Sequence, residues 1–497
     1  MKAKTIIYLL TIVGFGPMAI WCYHYIDYDL WYDEVYSLEE FVLKDFSTTL
    51  FYYPAPNNHI FYNFTTQLIS RAFGYRDIFS LEAHTYIFRG FQLIISLLTA
   101  FLSVRILKRF FGSKSSFLLY AILFTTIPYM NFALQLRGYN MSALFIVILV
   151  YFSWSYISER KNFSIFMVLI SSLLLLYTIP SNLYVLVAFG FLLFCSWLYY
   201  YRKRENISQQ YFKVMVAVAI GAVLAFLLYL PILEDIMFNK YSNRDAFGFL
   251  YSFHVMGIAV FDFFSSRYFL LLLLLPGLYI FYRKSSMKER YYFVFLTALF
   301  VVPFVFSFLH QKAPFPRVFV PLAPIFSIIL TLLIVKFIDI LKVYQTRILQ
   351  AIVSVYCIVV FLNEMDKNDT IISKNMVENN MEAQDLYRNF YLGSFYKQDS
   401  TMNYLAAVHN NYPVVKYNQR DQPSTDFYLR KHKIPFKEVD TISAISKELK
   451  DSGKVYILTS FKNRTLEALQ KMDSMETKVL TPKYAFTNII VVETKEE

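Results

Sequence analysis

Apolar residues in this chain neither alternate nor keep to one helical face; they gather in unbroken blocks of roughly 20, the length a helix needs to cross a bilayer. Eleven blocks stand out, at residues 5–23, 86–104, 116–134, 139–157, 163–179, 183–201, 211–233, 267–282, 291–309, 318–338 and 348–362. The first follows Lys2 and Lys4, as a signal peptide would, but its apolar part is long and has no small-x-small cleavage site, so it reads as a retained span. The first loop, 24–85, holds two stretches with apolar residues at helical spacing: Leu38, Phe41, Val42 and Phe46, then Phe61, Phe64, Leu68, Ile69 and Phe73. Each suits a helix lying in the membrane interface. A second segment, about 234–266, mixes charges with Phe and Met and reads as interfacial too. Beyond residue 363 charge density rises and strand-like runs appear at 412–418, 454–460 and 488–495, with a helix at 465–472. The expected fold is mainly α: a polytopic helical bundle over 1–362 followed by a small α/β domain, 363–497, outside the membrane.

Composition agrees, with 57% hydrophobic and 17% charged residues, against about a quarter charged in soluble proteins. The net charge of +12 would suit nucleic acid or an anionic surface, but its placement decides otherwise. Lys2, Lys4, Arg105, Lys108, Arg109, Lys114, Arg160, Lys161, Arg202, Lys203, Arg204, Lys213, Arg283, Lys284, Lys288, Arg290, Lys336, Lys342 and Arg347 all fall on alternate connections. Only Glu159, Glu205, Glu289 and Asp339 oppose them there. This positive-inside pattern puts the N-terminus in the cytoplasm and the C-terminal domain outside. No basic stripe or stacking module marks a nucleic-acid partner. Cys22, Cys195 and Cys357 all lie in apolar runs, so no disulfide framework is encoded. With no evident eukaryotic sorting motif, the expected setting is a bacterial inner membrane.

Ionisable side chains are costly at a membrane edge, so a cluster on one side marks a candidate site. The candidates gather on the outer connections. After the first span come Asp27 and Asp29, then Asp33 and Glu34 within LWYDEVY. For Asp27 and Asp29, keeping the loop hydrated weighs as much as a functional role. Asp33 and Glu34 sit among Trp31, Tyr32 and Tyr36, where desolvation raises a carboxylate's pKa and suits it to accept a proton or bind a metal. The same loop continues as YPAPNNHIFYNF: two turn-setting prolines, the amides of Asn57 and Asn58, and His59 opening the second interfacial helix. Arg89 lies near the outer end of the second span, Arg137 with Tyr139 before the fourth, and Arg317 before the tenth. Snorkelling accounts for any one of these arginines. Together, around an acidic loop, they point to a bound anion, and a planar guanidinium holds phosphate bidentately.

These residues resemble the polyprenyl-phosphate-sugar-dependent GT-C glycosyltransferases, the group of the protein O-mannosyltransferases and the aminoarabinose transferases of lipid A. The resemblance rests on Asp33 and Glu34 after the first span, on NNHIFYNFTTQLISRAFG with His59 opening a helix that ends at Phe73 and Gly74, and on Arg89. It continues in Arg137 to Tyr139 and in Pro316 and Arg317 with Pro321 and Pro324, covering roughly residues 5–340. Ile60 and Phe61 stand where many relatives have Pro, and Val318 where an aromatic is usual, differences that bear on substrate identity. The resemblance implies inverting transfer of a sugar from a polyprenyl-phosphate donor to a hydroxyl of a lipid, glycan or protein acceptor at the outer face. Asp33 is then the catalytic base beside Glu34, and His59, Asn58, Arg89, Arg137, Tyr139 and Arg317 bind substrate. Glu34 and His59 are candidate ligands for Mg or Mn, although two residues do not define a metal site. No nucleotide cofactor is implied, since no Gly-rich phosphate loop occurs.

Two other classes compete. A transporter or flippase for a lipid-linked or anionic substrate predicts charges near span centres and helices broken at the midplane, whereas the mid-span residues here are almost uniformly apolar. A scaffold that binds partners through its tail leaves the first-loop cluster unexplained.

Overall fold

The computed structural model describes residues 3–113, 115–239, 249–310, 316–340, 343–378, 397–418, 422–471, 475–480 and 487–494. The chain forms two compact units: one of residues 1–26, 44–74 and 86–364, the other of residues 27–43, 75–85 and 365–497. The sequence assigned the whole first loop to the membrane domain. Two pieces of it fold instead with the tail.

The first unit is helical. Seven of its described helices are long and apolar enough to cross a membrane: Thr85–Phe111, Tyr139–Glu159, Pro180–Arg202, Ser208–Met237, Met287–His310, Pro316–Ile338 and Thr346–Lys367. Met256–Phe264 and Tyr268–Lys284, bent by 95° at their junction, make an eighth if taken as one broken span. Of the remaining expected spans, the first is the helix Ala3–Tyr25, and Asn162–Thr178 is a 17-residue helix. The block 116–134 is two short helices, Ser116–Leu123 and Ile127–Phe132. Thr125 and Thr126 turn their hydroxyls back onto the Ala121 and Ile122 carbonyls, and Pro128 brings no N–H to continue the ladder. A hydropathy window cannot register that break. Of the expected interfacial segment, 240–248 lies outside the described residues, and Phe249–Phe264 is a helix leading into the bent pair.

Both breaks converge on Arg267, which is fully buried. Its Nε donates to the Phe264 carbonyl at 2.7 Å, Nη1 to the Ile122 carbonyl and the Thr125 hydroxyl, and Nη2 to the Thr126 hydroxyl and the Phe263 carbonyl. Ser265 Oγ accepts the Ile127 N–H at 2.8 Å. One guanidinium thus gathers the oxygens that two interrupted helices release, which is what makes irregular backbone tolerable where water is scarce.

Tyr139–Glu159 and Pro316–Ile338 are mostly buried and form the centre of this unit, whereas Ser208–Met237 and Thr346–Lys367 expose apolar faces such as Phe226, Leu227, Val355 and Val359. Backbones approach closely where side chains vanish. A Cβ on Gly221 would stand 2.6 Å from the Leu169 carbonyl, so Ser208–Tyr229 can lie against Asn162–Thr178 only with glycine there.

The second unit is built on a five-stranded sheet: β1 (Val414–Lys416), β2 (Lys437–Glu438), β3 (Lys454–Thr459), β4 (Met475–Val479) and β5 (Asn488–Thr494), in the order β2-β1-β3-β5-β4. β1 is parallel to β2 and β3, and β5 is antiparallel to β3 and β4. β1, β3 and β5 match the three apolar runs read from the sequence. Val455, Ile457, Ile490 and Val492 pack with Val415, Ile445, Leu449 and Leu469 as the core. β2 and β4 expose most of their side chains; edge strands need no apolar face, so no pattern announced them.

Candidate functional site

The first-unit site is assembled around His59. The loop leading to it is held by Asn58, whose amide donates to the Thr49 and Tyr52 carbonyls at 3.0 and 2.9 Å and whose oxygen accepts from Asn63 at 2.9 Å. Asn58 was expected to bind substrate; its side chain is fully buried in these loop bonds. They set His59 at the N-terminus of the helix Ile60–Ala72, where its carbonyl accepts the Asn63 N–H.

The ring of His59 meets the Arg-Gly-Tyr turn. Its Nδ1 accepts the Gly138 N–H at 2.8 Å, its Nε2 lies 3.2 Å from Arg137 Nη2, and the Tyr139 ring stands edge-on to it at 4.9 Å. Arg137 also donates to the Asn57 carbonyl and to Asn57 Oδ1, both at 3.2 Å. Desolvation, then the charges of Arg137 and Arg317, hold His59 far below the usual imidazole range, so it is neutral at physiological pH. Arg317, 8% exposed, belongs to the turn Pro316–Leu322 packed on the helix Tyr139–Glu159. The structure therefore brings together His59, Arg137, Tyr139 and Arg317, four residues spread over more than half the chain.

This arrangement has a chemical direction. Both ring nitrogens thus face donors, the Gly138 N–H at Nδ1 and Arg137 Nη2–H at Nε2, with a second guanidinium, Arg317, contributing charge. Cationic donors converging in a buried space are complementary to an anionic oxygen. The same geometry does not suit a metal ligand: one ring nitrogen is engaged by a backbone donor and the other faces a cation. Among the described residues, no group of three or more His, Cys, Asp or Glu side chains is placed to hold a metal ion.

Sequence reasoning passed over two contributors, Gln92 and Tyr53, and gave no physical reason for a third, Gly138. Gln92, fully buried one turn beyond Arg89, donates to the Gln135 and Arg137 carbonyls at 2.8 and 2.6 Å, bracing the turn that carries Arg137. Tyr53 is buried near Tyr139 and Arg137, and desolvation drives its hydroxyl pKa upward. Gly138 is required by proximity: a Cβ there would lie 2.8 Å from Thr178 Cγ2 and 3.2 Å from the His59 and Tyr62 Cβ atoms. Gly138→Ala should displace the His59 ring and cost about 1–3 kcal/mol of stability, the scale of overpacking a close contact, read as a lower midpoint of thermal unfolding in detergent; an unchanged midpoint would contradict it. Arg89 is differently employed. It is 3% exposed and donates from Nη1 to the Ile26 carbonyl just past the helix Ala3–Tyr25, a favoured place for a cation.

The acid pair belongs to the second unit. Asp33 and Glu34, 4% and 1% exposed, occupy the first turn of the helix Tyr32–Ser37. Glu34 Oε2 accepts the Trp31 N–H at 3.2 Å, while the Trp31 carbonyl accepts the Glu34 N–H, so Glu34 closes the helix start. Beyond Val35 the chain continues through a wide π turn, Leu38–Val42. Asp29 accepts the Asp399 N–H at 2.7 Å. Burial pushes its carboxyl up to about 6, with the backbone bond from Asp399 pulling the other way.

No family model and no curated protein matches this sequence. Among solved structures, it is similar to ArnT from Cupriavidus metallidurans bound to undecaprenyl phosphate, with a TM-score of 0.53, 13% identity, and coverage of 98% of each chain. The apo state of the same protein gives a TM-score of 0.51 and 13% identity, over 99% of this chain and 98% of that one. The chain thus shares, from end to end, the fold of ArnT.

Proposed function

We propose that this protein is an integral-membrane, inverting glycosyltransferase that moves a sugar from a polyprenyl-phosphate donor to an acceptor hydroxyl at the outer face of the membrane. The observation that carries the reading is the gathering of two guanidinium charges at the buried His59 ring, with Arg137 Nη2 3.2 Å from Nε2 and the charge of Arg317 reaching the same imidazole. The ArnT structure of the same fold holds undecaprenyl phosphate, a ligand of the chemistry such a cluster would take.

In the reaction, the acceptor oxygen bonds to the anomeric carbon as the bond from that carbon to the phosphate oxygen breaks, through a transition state with oxocarbenium character. The bonding electrons leave with the phosphate, whose growing negative charge Arg137 and Arg317 stabilise. The acceptor's proton passes to a carboxylate base, the role that the resemblance read from the sequence gives to Asp33. Tyr139 and Asn57 hold the imidazole and guanidinium in place.

Arg267 and the two broken helices are features that a transporter also predicts. The five donors of Arg267 are all engaged by protein oxygens and the residue is fully buried. This favours a structural pin over the lining of a pathway.

The test is turnover by purified protein in liposomes of extracted bacterial inner-membrane lipid, supplied in turn with polyprenyl-phosphate mannose, glucose and aminoarabinose. At least one donor should be converted to free polyprenyl phosphate with its sugar on an acceptor. Failure of all three, with lipid movement between leaflets instead, would establish the flippase reading.

A further inference from the structure

We propose that the helix Gln422–Lys431 of the tail is a positioning element for the acid pair, with Tyr428 and Ser424 as its positioning residues. The proposal rests on the assignment of Asp33 as the base.

The pattern is a single stripe. Ser424, Phe427, Tyr428 and Lys431 follow the spacing i, i+3, i+4, i+7, and so share one helix face. Every member meets a piece of the first loop. Tyr428 Oη accepts the Leu30 N–H at 2.7 Å, and Ser424 Oγ donates to the Leu30 carbonyl at 3.1 Å. Phe427 stacks on Phe79 at 5.5 Å, and Lys431 Nζ reaches Glu82 at 2.8 Å. Arg430, at the edge of the stripe, pairs with Glu39.

Leu30 is the fulcrum. It is 1% exposed and lies outside any helix or strand, so its backbone N–H and C=O need partners from elsewhere. Both come from one helix about 400 residues away in sequence. Trp31 follows, with its N–H taken by Glu34, and Asp33 sits in the turn thus started. Pinning Leu30 on both sides fixes the direction from which the helix Tyr32–Ser37 begins, and with it the Asp33 carboxylate. A base must be placed to within a fraction of an ångström, and a misplacement near 1 Å costs about a hundredfold in rate. Neither Tyr428 nor Ser424 touches the reacting atoms in this account; they act through Asp33.

The experiment compares full-length wild type, Tyr428→Phe, Ser424→Ala and Asp33→Asn in detergent, using whichever of the three polyprenyl-phosphate sugars the wild type turns over. Two quantities are read: kcat against donor KM, and hydrogen exchange of peptides covering 27–37 and 139–159. Tyr428→Phe keeps the ring and deletes only the hydroxyl. Its kcat should fall about tenfold or more with donor KM within about twofold, and exchange should quicken in 27–37 but not in 139–159. Ser424→Ala should change both in the same direction by less. A Tyr428→Phe kcat within about twofold of wild type, beside an inactive Asp33→Asn, overturns the positioning role and leaves the base standing. Losses in kcat and KM together, with exchange rising in both peptides, overturn it in favour of general destabilisation. Wild-type activity in Asp33→Asn removes the base assignment and this proposal with it.

Discussion

Asp33→Asn should lower sugar transfer by about three orders of magnitude, within the 10²–10⁴ that a positioned acid or base contributes. The change is nearly isosteric, and asparagine is tolerated in the first turn of a helix, where Asp33 sits. The Glu34 bond to the Trp31 N–H does not involve Asp33, so the helix start should survive. What is lost is the ability to take the acceptor's proton. Donor affinity should not change, because the residues proposed to hold the phosphate belong to the other unit. Turnover and lipid binding measured on the same preparation distinguish these outcomes; an unaltered rate would remove Asp33 as base.

The second large effect belongs to Arg137. Arg137→Ala should weaken both polyprenyl-phosphate binding and kcat, together by about 10²–10³, or about 3–4 kcal/mol, the scale seen when one stabiliser of developing charge is removed. Arg137→Lys should recover only part of this. Lysine keeps the charge but cannot reproduce the planar fork that bonds both the Asn57 carbonyl and Oδ1 while facing His59. Arg317→Ala should act in the same direction, since its charge reaches the same imidazole. In either alanine variant the His59 pKa should rise towards its usual range, because one of the cations that depresses it is gone. That shift is measurable by NMR without any turnover. Unchanged lipid affinity in both variants would contradict the phosphate assignment.

Part of the site was legible in the sequence because membranes penalise charge. His59, Arg137 and Arg317 stood out as polar residues between apolar blocks, and the penalty on buried charge is local enough to read along one chain. Asn58 and Arg89 read as substrate ligands, and the structure adds what the sequence did not announce: one bonds the carbonyls of its own loop and the other the carbonyl of Ile26. Side-chain type does not reveal whether a backbone oxygen will come within reach. Gln92 gave no signal, and Gly138 only as part of the Arg137-to-Tyr139 motif: a buried amide and a missing Cβ matter through what packs beside them.

The long apolar blocks, the gathering of acids and arginines on the connections between them, and the three apolar strands of the tail were determined by the sequence itself, because hydrophobic transfer acts residue by residue. The meeting of the Asn57–His59 loop with the Arg137 turn was decided only in three dimensions. So were the collection of two helix breaks by Arg267 and the folding of residues 27–43 and 75–85 into the tail's unit. Those depend on backbone groups left over when helices end, whose partners lie tens to hundreds of residues away and are chosen by proximity.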